Sequence, residues 1–229
     1  MKRGLVLDKV VLLGRTLDEY RRFFAIDLPA LQGRTILDVA SGVSSFRAEA
    51  AQAGLKVTAL DPIYDLALEE IEPRCAADLD LVVEAVRNLK TYRWDFYKSP
   101  DYLRTFRERA YREFLRDYAS TNREHYISGL LPELPFVDAT FDLTLVSYFL
   151  FVYEYQFDYE FHKRSLRELM RVTRGEARIY PLVTFETTRS SYLDSLLNDA
   201  ELRHLKFEEV PTDFEFLVGS NSYLRISHR

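Results

Sequence analysis

The sequence predicts an α/β domain: a three-layer sandwich with a seven-stranded, mostly parallel sheet, a C-terminal antiparallel hairpin and a helical insertion. Three observations carry this expectation. Residues 36–46 read ILDVASGVSSF, an apolar run that ends near Asp38, turns through the small residues Ala40, Ser41 and Gly42, and enters a helical pattern. Residues 57–61 read VTALD, a second apolar run ending in an acid. Residues 141–150 are strongly apolar, as a strand covered on both faces must be.

In order along the chain, Thr16 followed by Glu19 forms a capping box, so a helix covers 16–24. Strand one covers 35–40. The next helix covers 45–53 and stops at Gly54, a natural C-terminal cap. Strand two covers 56–60. From 65 to 121 no strand pattern is visible. Helical periodicity covers 76–89 and 101–118, the latter with Leu103, Phe106, Ala110, Phe114 and Tyr118 near one face. A β-α-β connection needs far fewer residues, so 66–122 is read as an insertion lying over the ligand side of the sheet. Short strand three covers 125–129, strand four 141–150, a helix 158–172, strand five 176–183 and a helix 190–203. Two last strands, 206–210 and 222–227, follow without a helix between them and form an antiparallel hairpin at the sheet edge. The chain is expected to be one domain, 1–229, with 1–33 as an N-terminal cap.

Composition narrows the class. The 229 residues are 47% hydrophobic with 8 Gly and 8 Pro, which suits a globular chain and not a disordered one. A net charge of -5 disfavours a polyanion binder unless a local basic patch exists. One cysteine, Cys75, excludes an intramolecular disulfide and a cysteine-rich zinc site; no metal is expected, and a reducing cytoplasm fits. The apolar start, MKRGLVLDKVVLLG, is interrupted by Asp8 and Lys9 and is too short to span a bilayer. It is expected to pack on the domain as a strand or helix.

The turn and the acid belong together. A sharp strand-to-helix turn brings backbone close to a ligand, and the following helix aims free N–H groups at it. A carboxylate at the tip of the next strand, about 20 residues further on, accepts hydrogen bonds from a ribose diol. A dinucleotide turn wants G-x-G-x-x-G, whereas this chain has A-x-G-x-S-S. Asp38, Ala40, Gly42 and Ser44, then Asp61, then LPFVDATFDL at 134–143, resemble the motifs of class I S-adenosylmethionine-dependent methyltransferases. The resemblance runs from about Arg34 to Val183, with the insertion between, and two motif glycines replaced by Ala40 and Ser44.

That family implies a Rossmann-like sheet with S-adenosylmethionine as cofactor and S-adenosylhomocysteine as product. It implies that Asp38, Ala40, Ser41 and Gly42 host the methionine end, Asp61 the ribose, and Pro62 or Ile63 the adenine. Many relatives carry an acid where this chain has Leu130 and Leu131, so apolar packing and backbone groups would serve the adenine here. Ser147 and Tyr148 end strand four, which faces the methyl group in relatives; Tyr148 is either a pocket residue or a packing aromatic. Arg15 and Tyr20 are either partners of the cofactor carboxylate or a surface arginine and a packed tyrosine. Tyr153, Glu154 and Tyr180 are further pocket candidates, and His125 and His162 are candidate bases more in keeping with structural or solvated positions.

The expected activity is methyl transfer to an O, N or C nucleophile of a small molecule. No Asn-Pro-Pro-Tyr-type tetrapeptide occurs, which disfavours an exocyclic-amine methylase of nucleic acid or glutamine. Two alternatives stand beside it. One is an RNA methyltransferase using the basic and aromatic run 87–123, including Arg104, Arg107 and Arg112; acids punctuate that run, as in a salt-bridged amphipathic helix. The other is a cofactor-binding sensor or partner subunit without transfer activity.

Overall fold

In the computed structural model, Leu5, Leu7 and residues 9–229 are described. The strand or helix expected at the extreme N-terminus falls mostly outside the described residues, and residues 9–16 carry neither. Strands β1 (Thr35–Val39), β2 (Lys56–Leu60), β3 (Tyr126–Ile127), β4 (Phe141–Ser147), β5 (Thr173–Tyr180), β6 (Leu205–Pro211) and β7 (Ser222–His228) form one seven-stranded sheet. Its order is β3-β2-β1-β4-β5-β7-β6. Neighbours from β3 through β5 are parallel, and β7 runs antiparallel to both β5 and β6. The expected hairpin is present, with its second strand docked on β5 and its first at the edge. This is the Rossmann-like methyltransferase fold.

Helices cover both faces. On one, α5 (Tyr159–Val172) and α6 (Leu193–Leu197) bury Leu166, Leu169 and Leu196 against Leu37, Val146 and Ile179. On the other, α1 (Leu17–Phe23) and α2 (Phe46–Gln52) bury Tyr20, Phe23 and Phe46 against Ile36, Leu143 and Leu145. Successive strand residues thus feed opposite cores, as the two-residue repeat of a strand requires. The insertion is a helical pair, α3 (Leu68–Val86) and α4 (Pro100–Tyr118), packed against each other.

Several boundaries move for local reasons. Helix α3 starts eight residues before the predicted Ala76 and runs through Pro73. Its buried stripe, Ile71, Cys75, Leu79, Val82, Val83 and Val86, offsets the one hydrogen bond a proline removes. Strand β4 stops at Ser147 because Tyr148 adopts a left-handed φ of 50°. Strand β5 starts at Thr173, directly after α5, and ends before Pro181, which has no N–H for the ladder. The helix expected over 190–203 breaks at Asn198.

A buried ion pair ties α1 to the insertion. Glu19 of α1 and Arg107 of α4 meet at 2.6 Å with both side chains buried. Arg107 also donates to the Gly14 carbonyl at 2.9 Å and to the Tyr97 hydroxyl at 2.7 Å, and Tyr97 donates to Glu19. Glu19 completes the capping box by accepting from the Thr16 amide at 2.8 Å. Burial works to raise the Glu19 carboxyl; Arg107, Arg15, Tyr97 and the Thr16 amide outweigh it and hold the group below its ordinary range. Truncating one partner strands the other as a buried charge, so Arg107→Ala should cost about 3–5 kcal/mol in urea unfolding, and Arg107→Met combined with Glu19→Gln clearly less. A loss for Arg107→Ala below about 1 kcal/mol, the range of a surface pair, would contradict this assignment.

Candidate active site

The carboxyl ends of the parallel strands lie level. Val39 pairs with Leu60 and with Val146, and Leu60 with Ile127, so Ala40, Asp61 and Ser147 emerge at one edge of the sheet. In an open α/β sheet that edge is where ligands bind. The β1–α2 turn is tight because Ala40 and Gly42 both take left-handed conformations, φ 54° and 52°. Alanine is strained there, and such strain concentrates at functional turns.

The turn is bolted to β2. Asp61 accepts the Gly42 amide at 2.9 Å on one carboxylate oxygen and the Ile63 amide at 3.1 Å on the other. Each carboxylate oxygen has room for about two donors, so each keeps one acceptor position to spare. Tyr64 donates to the Gly42 carbonyl at 2.7 Å, and the Ser41 amide donates to Leu60 at 3.1 Å. Just ahead of α2, the Ser44 amide donates to Ser41 and the Ser45 amide to Arg15.

Above this edge lies a cavity of about 370 Å³. Its floor includes Val39, Ala40, Ser41, Gly42 and Leu60; Asp61, Pro62, Ile63, Leu130 and Leu131 form one side, and Ser147, Tyr148 and Tyr153 another. A strap, residues 11–15, crosses over it. The Val11 amide donates to the Tyr153 hydroxyl at 3.3 Å, the Leu12 amide to Asp78 of α3 at 2.9 Å, and the Arg15 amide to Ser44 at 3.0 Å. A Cβ on Gly14 would come within 2.3 Å of the Val43 carbonyl, so only glycine lets the strap sit this close to the turn. Val82 and Val86 of α3, Leu103 and Arg107 of α4, and Tyr92 complete the enclosure.

Most of the residues singled out in the sequence converge here, but Asp38, Tyr20, Tyr180 and Glu154 do not line the cavity. Asp38 is fully buried and is held by Tyr20, which donates at 2.9 and 3.0 Å, and by Ser41, which donates at 2.6 Å. Tyr20, itself buried, accepts from Ser147 at 3.0 Å and stacks on Phe46. The pair braces the turn from behind. Tyr180 donates to Ser220 at 3.0 Å and stacks on Phe23 in the core. Glu154 is taken up by Ser190 and by the Ser191 amide and hydroxyl. Neither histidine lines the cavity either: both ring nitrogens of His162 face carbonyls, of Asp158 and Leu150, and His125 lies beside Glu124. Arg107, grouped with Arg104 and Arg112 as a possible nucleic-acid contact, is buried in its ion pair.

Sequence reading missed Val82, Val86, Tyr92 and Leu103 as lining residues, and Phe216 beyond them. The run of aromatics at 92–106 was the available signal, but nothing in it distinguishes a cavity wall from a helix core.

No protein-family model matches the chain. A protein of Methanocaldococcus jannaschii named "Uncharacterized protein MJ0045" is 40% identical over 226 residues, covering 98% of this chain and 99% of the relative. The chain belongs to the family of MJ0045. Among solved structures it is similar to a putative S-adenosyl-L-methionine-dependent methyltransferase of Methanococcus maripaludis, with 13% identity and a TM-score of 0.44 over 93% of this chain and 83% of that one. It is also similar to magnesium protoporphyrin IX methyltransferase of Synechocystis, with 13% identity and a TM-score of 0.46 over 93% and 78% of the two chains. These likenesses are distant, and the fold rests on the strand order of the chain itself.

The two acids at the strand tips titrate unusually. Burial pushes Asp38 up to about 7, against the opposing hydroxyls of Ser41 and Tyr20 and with a further push from Asp61. Burial pushes Asp61 up to about 6, opposed by the Ile63 and Gly42 amides. A carboxyl raised on folding contributes stability that is fully present below its ordinary value of 3.8 and is lost as pH rises through the folded value. Stability to urea should therefore fall between about pH 4 and 8, with a limiting slope of about 1.4 kcal/mol per pH unit for each group. Asp38→Asn should remove the part of the fall that continues from about pH 6 to 7, where Asp61 no longer contributes; an unchanged profile would show that Asp38 ionises freely.

Proposed function

We infer that the protein is a class I S-adenosylmethionine-dependent methyltransferase acting on a small-molecule acceptor. One observation carries this reading: the Asp61 carboxylate stands at the tip of β2 with one acceptor position to spare on each oxygen, and Asp61 lines a cavity together with the left-handed Ala40–Gly42 turn. Two open acceptor sites on one carboxylate match the two donors of a ribose diol. The cavity volume lies in the range of small-molecule sites, about 300–1,000 Å³.

In this reading Asp61 holds the ribose, and Pro62, Ile63, Leu130 and Leu131 pack on the adenine. The backbone of Ala40, Ser41 and Gly42 approaches the methionine end, with Asp38 and Tyr20 acting behind the turn to hold its shape. Ser147 and Tyr148 lie at the β4 tip, beside the reacting centre. S-adenosylmethionine would supply a methyl group on a positive sulfur, whose carbon bonds to an acceptor lone pair as the C–S pair returns to sulfur, leaving S-adenosylhomocysteine. What the protein adds is alignment of the acceptor and exclusion of water. Segments 1–33 and 66–122 serve as cap and lid of a single domain. Burial of Arg107 inside that lid favours a small acceptor over RNA. Among the described residues no helix is long and apolar enough to cross a membrane. The buried thiol of Cys75 suits a reducing compartment such as the cytoplasm.

Calorimetry should find S-adenosylmethionine and S-adenosylhomocysteine bound and NAD not bound. Asp61→Ala should weaken S-adenosylhomocysteine about 10- to 100-fold, the value of losing charge-assisted hydrogen bonds. Ribose donors favour the ionised carboxylate, so affinity should fall as pH drops through about 6, and Asp61→Asn should abolish that dependence. NAD binding in place of the other two ligands would overturn the reading.

A further inference from the structure

The cavity has two ends, and the sheet sets them apart. The strand order puts β5 and β7 on the far side of β4 from β1 and β2. The tips of β2 and β5 lie three strand spacings apart, about 14 Å. Asp61 and the Ala40–Gly42 turn serve one end. The segments that follow β4, β5 and β6 supply Phe149, Phe157, Phe185 and Phe216 to the other. Helix α3 contributes to both: Ile71, Cys75 and Leu79 cluster with Val43 and Tyr64, whereas Val82 and Val86 cluster with Leu103, Phe185 and Phe216.

The insertion is stitched to this aromatic end. The Arg93 amide donates to the Phe216 carbonyl at 2.7 Å, and the Val218 amide to the Thr91 carbonyl at 2.9 Å. Between these rungs Tyr92 pairs antiparallel with Leu217, and its ring packs on Phe216 at 4.8 Å. Backbone hydrogen bonds on either side of Tyr92 thus fix where its side chain stands. The Tyr92 hydroxyl makes no hydrogen bond among the described residues, and it is not sealed from solvent as the Tyr148 hydroxyl is. Burial pushes the Tyr92 phenol well above its ordinary range, with Tyr148 and Tyr153 adding to the rise and Arg15 opposing it. It therefore stays protonated, a neutral group that can both donate and accept. Tyr153 beside it accepts the Val11 amide at 3.3 Å and keeps its own proton to give.

No charge is free to receive an ion at this end. The charged side chains lining the cavity are Arg15, Asp61 and Arg107. Asp61 stands at the β2 tip. Arg107 is saturated by Glu19, Gly14 and Tyr97. Arg15 is bound up with the turn: its amide donates to Ser44, its carbonyl accepts the Ser45 amide, and its guanidinium donates to the Leu13 carbonyl. An ion placed among the phenylalanines would lose its hydration and gain no partner, whereas an uncharged ring would bury apolar surface. We propose that the aromatic end of the cavity binds an uncharged, planar, apolar acceptor beside the cofactor, and that the Tyr92 hydroxyl selects it by bonding its one neutral polar group. That this ligand is the methyl acceptor rests on the methyltransferase reading; the neutral site itself does not.

The whole protein, with and without saturating S-adenosylhomocysteine, is titrated near neutral pH with four probes built on one ring: 4-ethylphenol, 4-ethylbenzoate, 4-ethylbenzylammonium and 4-ethyltoluene. Calorimetry or ligand-observed NMR should find 4-ethylphenol bound about tenfold or more tighter than the anion and the cation. Tyr92→Phe, which keeps the ring on Phe216, should weaken 4-ethylphenol about 3- to 10-fold, the value of one neutral hydrogen bond, and leave 4-ethyltoluene within about twofold. Val82→Phe fills the same end from α3 and should exclude every probe; it provides the answer should Tyr92→Phe not fold. Binding of either ion as tight as 4-ethylphenol overturns the proposal, and so does binding of no probe. A Tyr92→Phe effect shared equally by 4-ethylphenol and 4-ethyltoluene, or absent from both, removes Tyr92 from the site. If S-adenosylhomocysteine expels 4-ethylphenol, the aromatic end belongs to the cofactor seat, and the proposal fails while the methyltransferase reading stands. If 4-ethylphenol binds with this selectivity and S-adenosylhomocysteine does not bind, the methyltransferase reading fails and the neutral site stands.

Discussion

The roof of the cavity depends on the buried contact between Glu19 and Arg107. It joins the first turn of α1 to the middle of α4, 88 residues apart in the chain. Arg107 also holds the Gly14 carbonyl, so the same guanidinium fixes the strap. Tyr97 closes the cluster from the segment between the two insertion helices. Without it, strap, α1 and insertion would each still rest on apolar contacts, but those are non-directional and do not set a register. The ion pair is therefore better understood as specifying one arrangement of the roof than as a net source of stability.

Beneath the roof, the parallel register does the positioning. Because β1, β2 and β4 end level, the turn, the Asp61 carboxylate and the β4 tip meet without any long loop. The cost is electrostatic. Two carboxylates are withdrawn from water and raised toward neutral pH by burial, and they are kept usable by donors: Tyr20 and Ser41 for Asp38, Gly42 and Ile63 for Asp61. The left-handed Ala40 and Tyr148 add backbone strain at the same edge. Strain and desolvation thus gather at one site, while the apolar cores on either face of the sheet supply the compensating stability.

The sequence made the sheet and the turn legible because both depend on short-range pattern. An apolar run ending in an acid, small residues, then a helical period can be read within a dozen residues, as at 36–46. The capping box at Thr16 and the stripe of α4 are local in the same sense. The start of α3 was hidden because Pro73 reads as a helix boundary, whereas the burial of Ile71 and Cys75 against a distant helix decides the matter. Tyr180 and Glu154 have side-chain types suited to a pocket and sit at strand tips or just beyond, yet partners at Ser220 and Ser190 claim them. Tyr20 and Asp38 adjoin the turn but are buried behind the cavity wall. The direction of a side chain and the identity of its long-range partner are not written in periodicity, and the insertion, where most of the missed lining residues lie, is made of such choices.

The strap leads to a question of timing. Residues 11–15 reach the turn, α3 and the segment after β4 through single backbone amides, and Gly14 lies flush on Val43. Each hydrogen bond is weak on its own, about 1 kcal/mol net, yet together they span the mouth of the cavity. A molecule that leaves past the strap requires several of them to open together. Along that route its dwell time follows how often the strap unzips, so turnover can be paced by product escape even when bond making is fast.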